Sequence, residues 1–162
     1  TPQIDQLSSE VDVSLAVSLH APTNELRDEL VPINKKYPIS ELINSCNKYL
    51  AFYNGKRSIT IEYILIDGVN DSEELAKKLA KLLSKVSCKI NLIPFNPFDG
   101  SDYKRSNNKN IEVFKRILIN KGFITTLRVT RGDAVDGACG QLVGKLAKSV
   151  KGKKLISHQL IS

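Results

Sequence analysis

The chain has 162 residues, of which 41% are hydrophobic and 25% are charged. This composition is ordinary for a globular domain with a sizeable core, and no apolar run approaches the roughly 20 residues that a membrane-spanning helix needs. The three cysteines lie 42 and 51 residues apart, a spacing that fits neither a zinc site nor a disulfide framework. We therefore expect a protein of a reducing, cytoplasmic compartment.

The net charge of +7 is unevenly distributed along the chain. Residues 104–162 carry 13 Lys and Arg against three acidic residues, whereas residues 1–103 carry 11 against 14. A basic C-terminal third predicts contact with phosphates, whose neutralisation releases counterions. A solvated tail that keeps the protein in solution explains the same charge, so charge alone leaves both interpretations open.

A first strand is predicted over residues 11–21, because apolar and polar residues alternate there with a period of two. The apolar face should pack under helices, and the small, polar face should line the inside of a barrel. Ser18 and His20 end the polar face, at the carboxyl end of the strand. Parallel α/β barrels place their chemistry at that end, although a single Ser or His there also serves as an ordinary structural residue.

The rest of the chain alternates between helical and β periodicity. The predicted helices cover residues 24–30, 40–54, 72–86, 111–121 and 141–150, and the predicted strands cover residues 58–67, 88–95 and 123–130. Strands that alternate with helices predict a parallel sheet with right-handed crossovers. About four strands are too few to close a barrel.

Asn96 follows the strand at residues 88–95, and we expect it to lie level with Ser18 and His20 if the strands are parallel neighbours. Its amide can donate to and accept from a polar ligand, although Asn before Pro is also a common turn residue. Cys46 lies on the apolar stripe of a predicted helix and Cys88 begins a strand, so both are predicted to be buried and inert.

Cys139 lies in the segment TRGDAVDGACGQL, with glycines two positions before it and one position after it. A helix is predicted directly after this segment. Unpaired amides at a helix start, together with the helix dipole, favour the thiolate, the form in which sulfur is a nucleophile. A free thiol in a loop is the alternative interpretation.

Three stretches of this chain resemble one family in the same order: VSLHAPTNELRDELVPINKKYP at 17–38, CKINLIPFNPF at 88–98 and RGDAVDGACGQL at 131–142. The chain resembles the radical S-adenosylmethionine (SAM) RNA methyltransferases that methylate C2 of adenine in 23S rRNA and in some tRNAs. The resemblance covers nearly the whole chain. Mild departures from the family pattern are found at Ala134, Val135 and Gly137.

The resemblance implies a fold and a set of site residues. Residues 1–162 are expected to form the C-terminal half of a partial (β/α)6 TIM-like barrel, without the N-terminal half that carries the CxxxCxxC cluster motif. The residues that match the family's SAM-binding positions are Ser18, Leu19, His20 and Asn96, and no metal ligand is expected within the chain. Such a fragment is expected to be inactive alone.

The resemblance also implies a mechanism, in which Cys139 receives a methyl group from SAM. A second SAM, cleaved at a 4Fe–4S cluster, yields a radical that activates the S-methyl group for addition to adenine. An upstream cysteine then resolves the adduct through a transient disulfide with Cys139. The implied partners are 23S rRNA and tRNA, without membrane or protein partner, for a monomeric enzyme. A non-catalytic RNA-binding module and the sister family that methylates C8 of adenine remain the alternatives.

Overall fold

The structure is a computed structural model that describes residue 4 and residues 14–54 and 56–128. Cys139, the helix predicted at 141–150 and the basic tail therefore lie outside the described residues. The elements follow one another as β1 (Ala16–Ser18), α1 (Asn24–Leu30), a short 3-10 turn (Pro32–Lys35), α2 (Ile39–Phe52), β2 (Ile59–Leu65), α3 (Glu73–Leu83), β3 (Cys88–Pro94), α4 (Asn108–Asn120) and β4 (Thr125–Leu127).

Side-chain caps decide where three of the helices begin. Thr23 Oγ1 accepts from the amide of Leu26 ahead of α1, and Ser72 Oγ accepts from the amide of Leu75 ahead of α3. Asn107 caps α4 by accepting from the amide of Asn110 over 2.9 Å. Each bond satisfies an amide that the first helical turn leaves without a partner. The Asn107 cap starts α4 at Asn108, three residues before its predicted start at Ile111.

All four strands of the described sheet are parallel, in the order β1-β2-β3-β4. The predicted parallel α/β fold is therefore confirmed. The register pairs Val17 with Ile61, Ile61 with Ile90, and Leu92 with Leu127. Because all four strands are parallel, their carboxyl ends lie at one edge of the sheet.

One face of the sheet packs against helices α2, α3 and α4 to form the main core. The fully buried side chains at its centre include Leu19, Tyr49, Ile59, Ile61, Tyr63, Leu79, Leu83, Ile90, Leu92, Phe114 and Leu118. Cys46 lies in this core, as predicted, whereas Cys88 is half-buried. Within the described ranges, no helix is both long and apolar enough to cross a membrane.

The opposite face of the sheet is more open, as the alternation in the first strand predicts. Ala16, Ser18, Lys89 and Thr126 are exposed on it, and neighbouring Thr60, Glu62 and Asn91 are half-buried. Near the carboxyl edge this face is closed by a second apolar cluster, which includes Leu30, Val31, Ile64, Ile66, Ile93 and Phe95. Polar groups are thus available just before the strands reach that edge.

Candidate active site

A row of four polar side chains crosses the open face of the sheet, one from each strand. Ser18 is paired with Glu62, Glu62 with Asn91, and Asn91 with Thr126. Ser18 Oγ donates to Glu62 Oε2 over 3.5 Å, and Thr126 Oγ1 donates to Asn91 Oδ1 over 3.1 Å. We call these four residues the polar row. It presents a carboxylate, an amide and two hydroxyls to a ligand that lies over the sheet.

Only Ser18 of the polar row was among the residues predicted for the site. The signal for Glu62 and Asn91 was present in the sequence, because both occupy positions that alternate with buried apolar residues of β2 and β3. Alternation shows which side of a strand a residue occupies. It does not show which residues of separate strands lie opposite each other.

Leu19 lies on the other face, and its side chain is fully buried in the main core. Its amide donates to the carbonyl of Glu62 over 3.0 Å, and its carbonyl accepts from Arg27 Nε over 3.0 Å. The backbone groups of Leu19 therefore already have protein partners. Leu19 contributes to the site as the backbone link between Ser18 and His20.

His20 is buried, with 4% of its surface exposed, and its backbone has a φ of 61°. This left-handed conformation ends the alternation of β1 and is unfavourable for a residue other than Gly. Its Nδ1 accepts from the amide of Ile64 over 3.2 Å. Burial, with a smaller effect of the nearby Arg27 charge, lowers the pKa of His20 to about 4, so at neutral pH the imidazole is uncharged.

Asn96 is exposed and lies two residues beyond the end of β3. It is at the same edge of the sheet as Ser18, but the two strands are not neighbours, because β2 lies between β1 and β3. The residue of β3 level with Ser18 is Asn91, five positions before Asn96. The expected level alignment of Asn96 with Ser18 is therefore wrong, because the pairing of β1 with β2 and of β2 with β3 places Asn91 at the level of Ser18.

The donor set at this edge fits a polar organic ligand such as SAM, because hydroxyl, carboxylate and amide groups can bind ribose hydroxyls and an amino-acid moiety. It does not fit an iron–sulfur cluster, which thiolates hold. The described cysteines are Cys46, in the core, and Cys88, at the opposite end of its strand. Nor do the described residues contain any group of three or more His, Cys, Asp or Glu suited to a metal ion.

Proteins of similar sequence are RNA methyltransferases by name. The dual-specificity RNA methyltransferase RlmN of Marinomonas sp. (strain MWYL1) is 57% identical over 143 residues, which are 88% of this chain and 38% of that protein. The protein of the same name from Pseudomonas putida (strain W619) is 55% identical over 145 residues, covering 90% of this chain and 38% of its own length. No family model matches the chain.

Solved structures agree with these relatives. A radical SAM methyltransferase from Sphaerobacter thermophilus superposes with a TM-score of 0.81 at 47% identity, over 86% of this chain and 41% of that one. A domain of pyruvate-formate lyase-activating enzyme from Bacteroides vulgatus ATCC 8482 reaches a TM-score of 0.62 at 17% identity, over 80% of this chain and 74% of that one. The second likeness concerns the fold alone.

The parallel sheet, with polar groups at its carboxyl edge, thus has the fold of a segment of a radical SAM methyltransferase. Within that class of enzyme, the relatives that are 55–57% identical to this chain carry the name dual-specificity RNA methyltransferase RlmN. The chain spans about 38% of the length of these relatives.

Proposed function

We propose that this chain forms the C-terminal part of a radical SAM enzyme that methylates C2 of adenine in 23S rRNA and in tRNA. The observation that carries the proposal is the identity of 55–57% to dual-specificity RNA methyltransferases over 88–90% of this chain. In this proposal residues 1–162 supply one wall of the SAM site, the nucleophilic cysteine and a basic surface for RNA. Ligands of a 4Fe–4S cluster would come from another part of the enzyme.

SAM supplies an electrophilic methyl group when it is bound. We assign its binding to Ser18 and Asn96, with Glu62 of the polar row beside Ser18, because their polar groups are accessible near the carboxyl edge. Leu19 and His20 act through the course of their backbone, since the Leu19 side chain and the His20 ring are buried. This division of roles explains how one short segment can carry both core and ligand-binding residues.

Cys139 is the residue that we assign as the methyl acceptor. In this role the Cys139 thiolate would form a sulfur–carbon bond to the methyl group that SAM supplies, while the bond between that methyl group and the SAM sulfonium would break. Cys46 and Cys88 are poor candidates for this step, because burial raises the pKa of each thiol to about 11. A thiol with so high a pKa is almost entirely protonated near neutral pH and is a weak nucleophile.

The RNA partner is supported by the excess of basic residues in 104–162. Lys and Arg neutralise phosphates irrespective of base sequence, so this surface would orient the RNA while the site selects the adenine. We further propose that the enzyme acts as a monomer in the cytoplasm, where its rRNA and tRNA substrates are found.

A chimera tests this proposal. The matching segment of the Marinomonas sp. relative is replaced by this chain, and the chimera is expressed in cells that lack their own enzyme. We expect 2-methyladenosine in 23S rRNA and tRNA, measured by mass spectrometry of nucleosides. Cys139→Ala should abolish the product, whereas the matched control Cys88→Ala should retain it.

Each other outcome of the chimera experiment has a definite meaning. A product methylated at C8 would assign the chain to the sister activity. Methylation that survives Cys139→Ala would remove the carrier role of that cysteine. RNA binding by the chain together with an inactive chimera would favour the non-catalytic RNA-binding module.

A further inference from the structure

The segment Ser18–His20 is held by two buried side chains that the sequence patterns did not single out. Arg27 donates from Nη2 to the carbonyl of Ser18 over 3.3 Å and from Nε to the carbonyl of Leu19 over 3.0 Å. Asn70 donates from Nδ2 to the carbonyl of His20 over 2.9 Å. Three successive carbonyls of the segment therefore accept hydrogen bonds from side chains.

The guanidinium of Arg27 is itself fixed in place. Its Nη1 donates to Asn34 Oδ1 over 2.7 Å, and Asn34 Nδ2 donates in turn to Asp28 Oδ1 over 2.7 Å. Arg27 is only 5% exposed, and no carboxylate of the described part of the chain lies within 4 Å of its guanidinium. Burying a cation without a direct ion pair costs free energy, and here three hydrogen bonds and the nearby Asp28 charge offset that cost.

Asn70 joins the end of β1 to the end of β2. Besides the carbonyl of His20, its Nδ2 reaches the carbonyl of Ile64 over 2.6 Å, and its Oδ1 accepts from the amide of Ile66 over 2.7 Å. The side chain is fully buried. One amide group thus sets the distance between the two strand ends that border the candidate site.

The backbone between these two contacts is strained. His20 has a φ of 61°, a value that a non-glycine residue keeps only where its surroundings enforce it. Asn70 holds the carbonyl of His20, and the amide of Ile64 holds its ring. The strained residue follows Ser18 by two positions, and the Ser18 hydroxyl remains exposed beside Glu62.

We propose that Arg27 and Asn70 are positioning residues for SAM, which act by holding Ser18–His20 in the conformation that binds the ligand. This inference rests on the proposed function. Neither side chain need contact the ligand, since both are directed at the carbonyls of the segment. Loss of either side chain should loosen the segment and weaken SAM binding, and the methyl-transfer chemistry should be little affected once SAM is bound.

The test uses the chimera described above with four variants. Arg27→Met removes both bonds to the segment, Arg27→Lys keeps the charge but loses the planar fork, and Asn70→Asp keeps the acceptor for Ile66 while losing the donor. Tyr63→Phe is the matched control, because the Tyr63 hydroxyl donates to the carbonyl of Asn70 over 2.9 Å. That bond belongs to the same buried network but does not touch the segment.

We expect KM for SAM to rise at least about ten-fold in Arg27→Met and Asn70→Asp, with kcat within about two-fold, because about one hydrogen bond's net free energy corresponds to that factor. Arg27→Lys should restore part of the affinity. Tyr63→Phe should lower the melting temperature while leaving KM unchanged. If Arg27→Met fails to fold, the KM of Arg27→Lys for SAM tests the positioning role of Arg27 in its place.

Amide hydrogen exchange of the chain gives an independent readout. The amide of Ile64 donates to His20. In Asn70→Asp its exchange rate, relative to the unmutated chain, should rise more than that of the Ile61 amide in the strand interior. Variants whose KM follows that of Tyr63→Phe would overturn the positioning role while leaving the proposed function intact. An unmutated chimera that neither binds SAM nor methylates RNA would overturn both.

Discussion

At the scale of single residues, His20 shows how tertiary contacts change a side chain's chemistry. The imidazole is buried and accepts a hydrogen bond from the Ile64 amide at Nδ1. A protonated imidazole could not accept that bond. Burial and the Arg27 charge lower the pKa of His20 to about 4 in the folded chain, whereas a solvated histidine in the unfolded chain titrates near 6.5.

Stability should therefore fall on acidification. Between about pH 6.5 and about pH 4 the unfolded chain binds a proton at His20 that the folded chain does not bind, so the free energy of unfolding decreases as the pH falls through this range. We expect a loss on the order of 2 kcal/mol from this group between about pH 7 and about pH 4.5, measured by urea denaturation at these two pH values.

The matched variant is His20→Asn, because Asn tolerates a positive φ and can offer Oδ1 as the acceptor. The wild-type chain should lose more stability on acidification than this variant, and the difference isolates His20 from the other titrating groups. Equal losses in the two proteins would contradict a buried, neutral His20.

At the scale of secondary-structure elements, the position of Cys46 and Cys88 in a helix and a strand decides how far each thiol is buried. Cys46 lies on the face of α2 that packs into the main core, and its thiol is fully buried. Cys88 begins β3 at the edge opposite the candidate site and is half-buried. Desolvation is the first cause that raises the pKa of either thiol.

Burial should protect Cys46 and Cys88 from alkylation. When the folded chain is treated briefly with limiting iodoacetamide near pH 8, we expect the label predominantly on Cys139, mapped by mass spectrometry of peptides. Cys46 and Cys88 should react only after denaturation, because the thiolate is the reactive form and burial suppresses it. Labelling of the denatured chain is the control, and preferential labelling of Cys46 or Cys88 in the folded chain would contradict the assignment of Cys139 as the nucleophile.

At the scale of the whole molecule, charge is segregated along the chain. The basic excess belongs to residues 104–162, whereas residues 1–103 carry slightly more acid than base. Two exposed lysines of α3, Lys77 and Lys78, pair with Glu73 and Glu74. Each of these pairs is locally neutral and attracts a phosphate less than an unpaired lysine does, so we expect RNA contact at the C-terminal segment.

The salt dependence of RNA binding tests this expectation. Replacing Lys151, Lys153 and Lys154 with Gln should reduce the slope of log affinity against log salt concentration by about two to three, since each neutralised phosphate contributes about 0.7 to 0.9. The control variant replaces Lys77, Lys78 and Lys81 with Gln, which changes the net charge equally. A slope that responds alike in the two variants would show that the C-terminal lysines make no specific phosphate contacts.

Local patterns in the sequence were enough to predict the parallel α/β fold, the faces of β1 and the burial of Cys46, because periodicity and caps act over a few residues. The conformation of the candidate site was not predictable in that way. The Ile64 amide reaches His20 across 44 residues of chain, and Asn70 reaches it across 50. Register and packing between distant segments decide which residues of neighbouring strands lie level with each other. They also decide which carbonyls accept hydrogen bonds from the buried Arg27 and Asn70. The periodicity of a single segment contains no information about either.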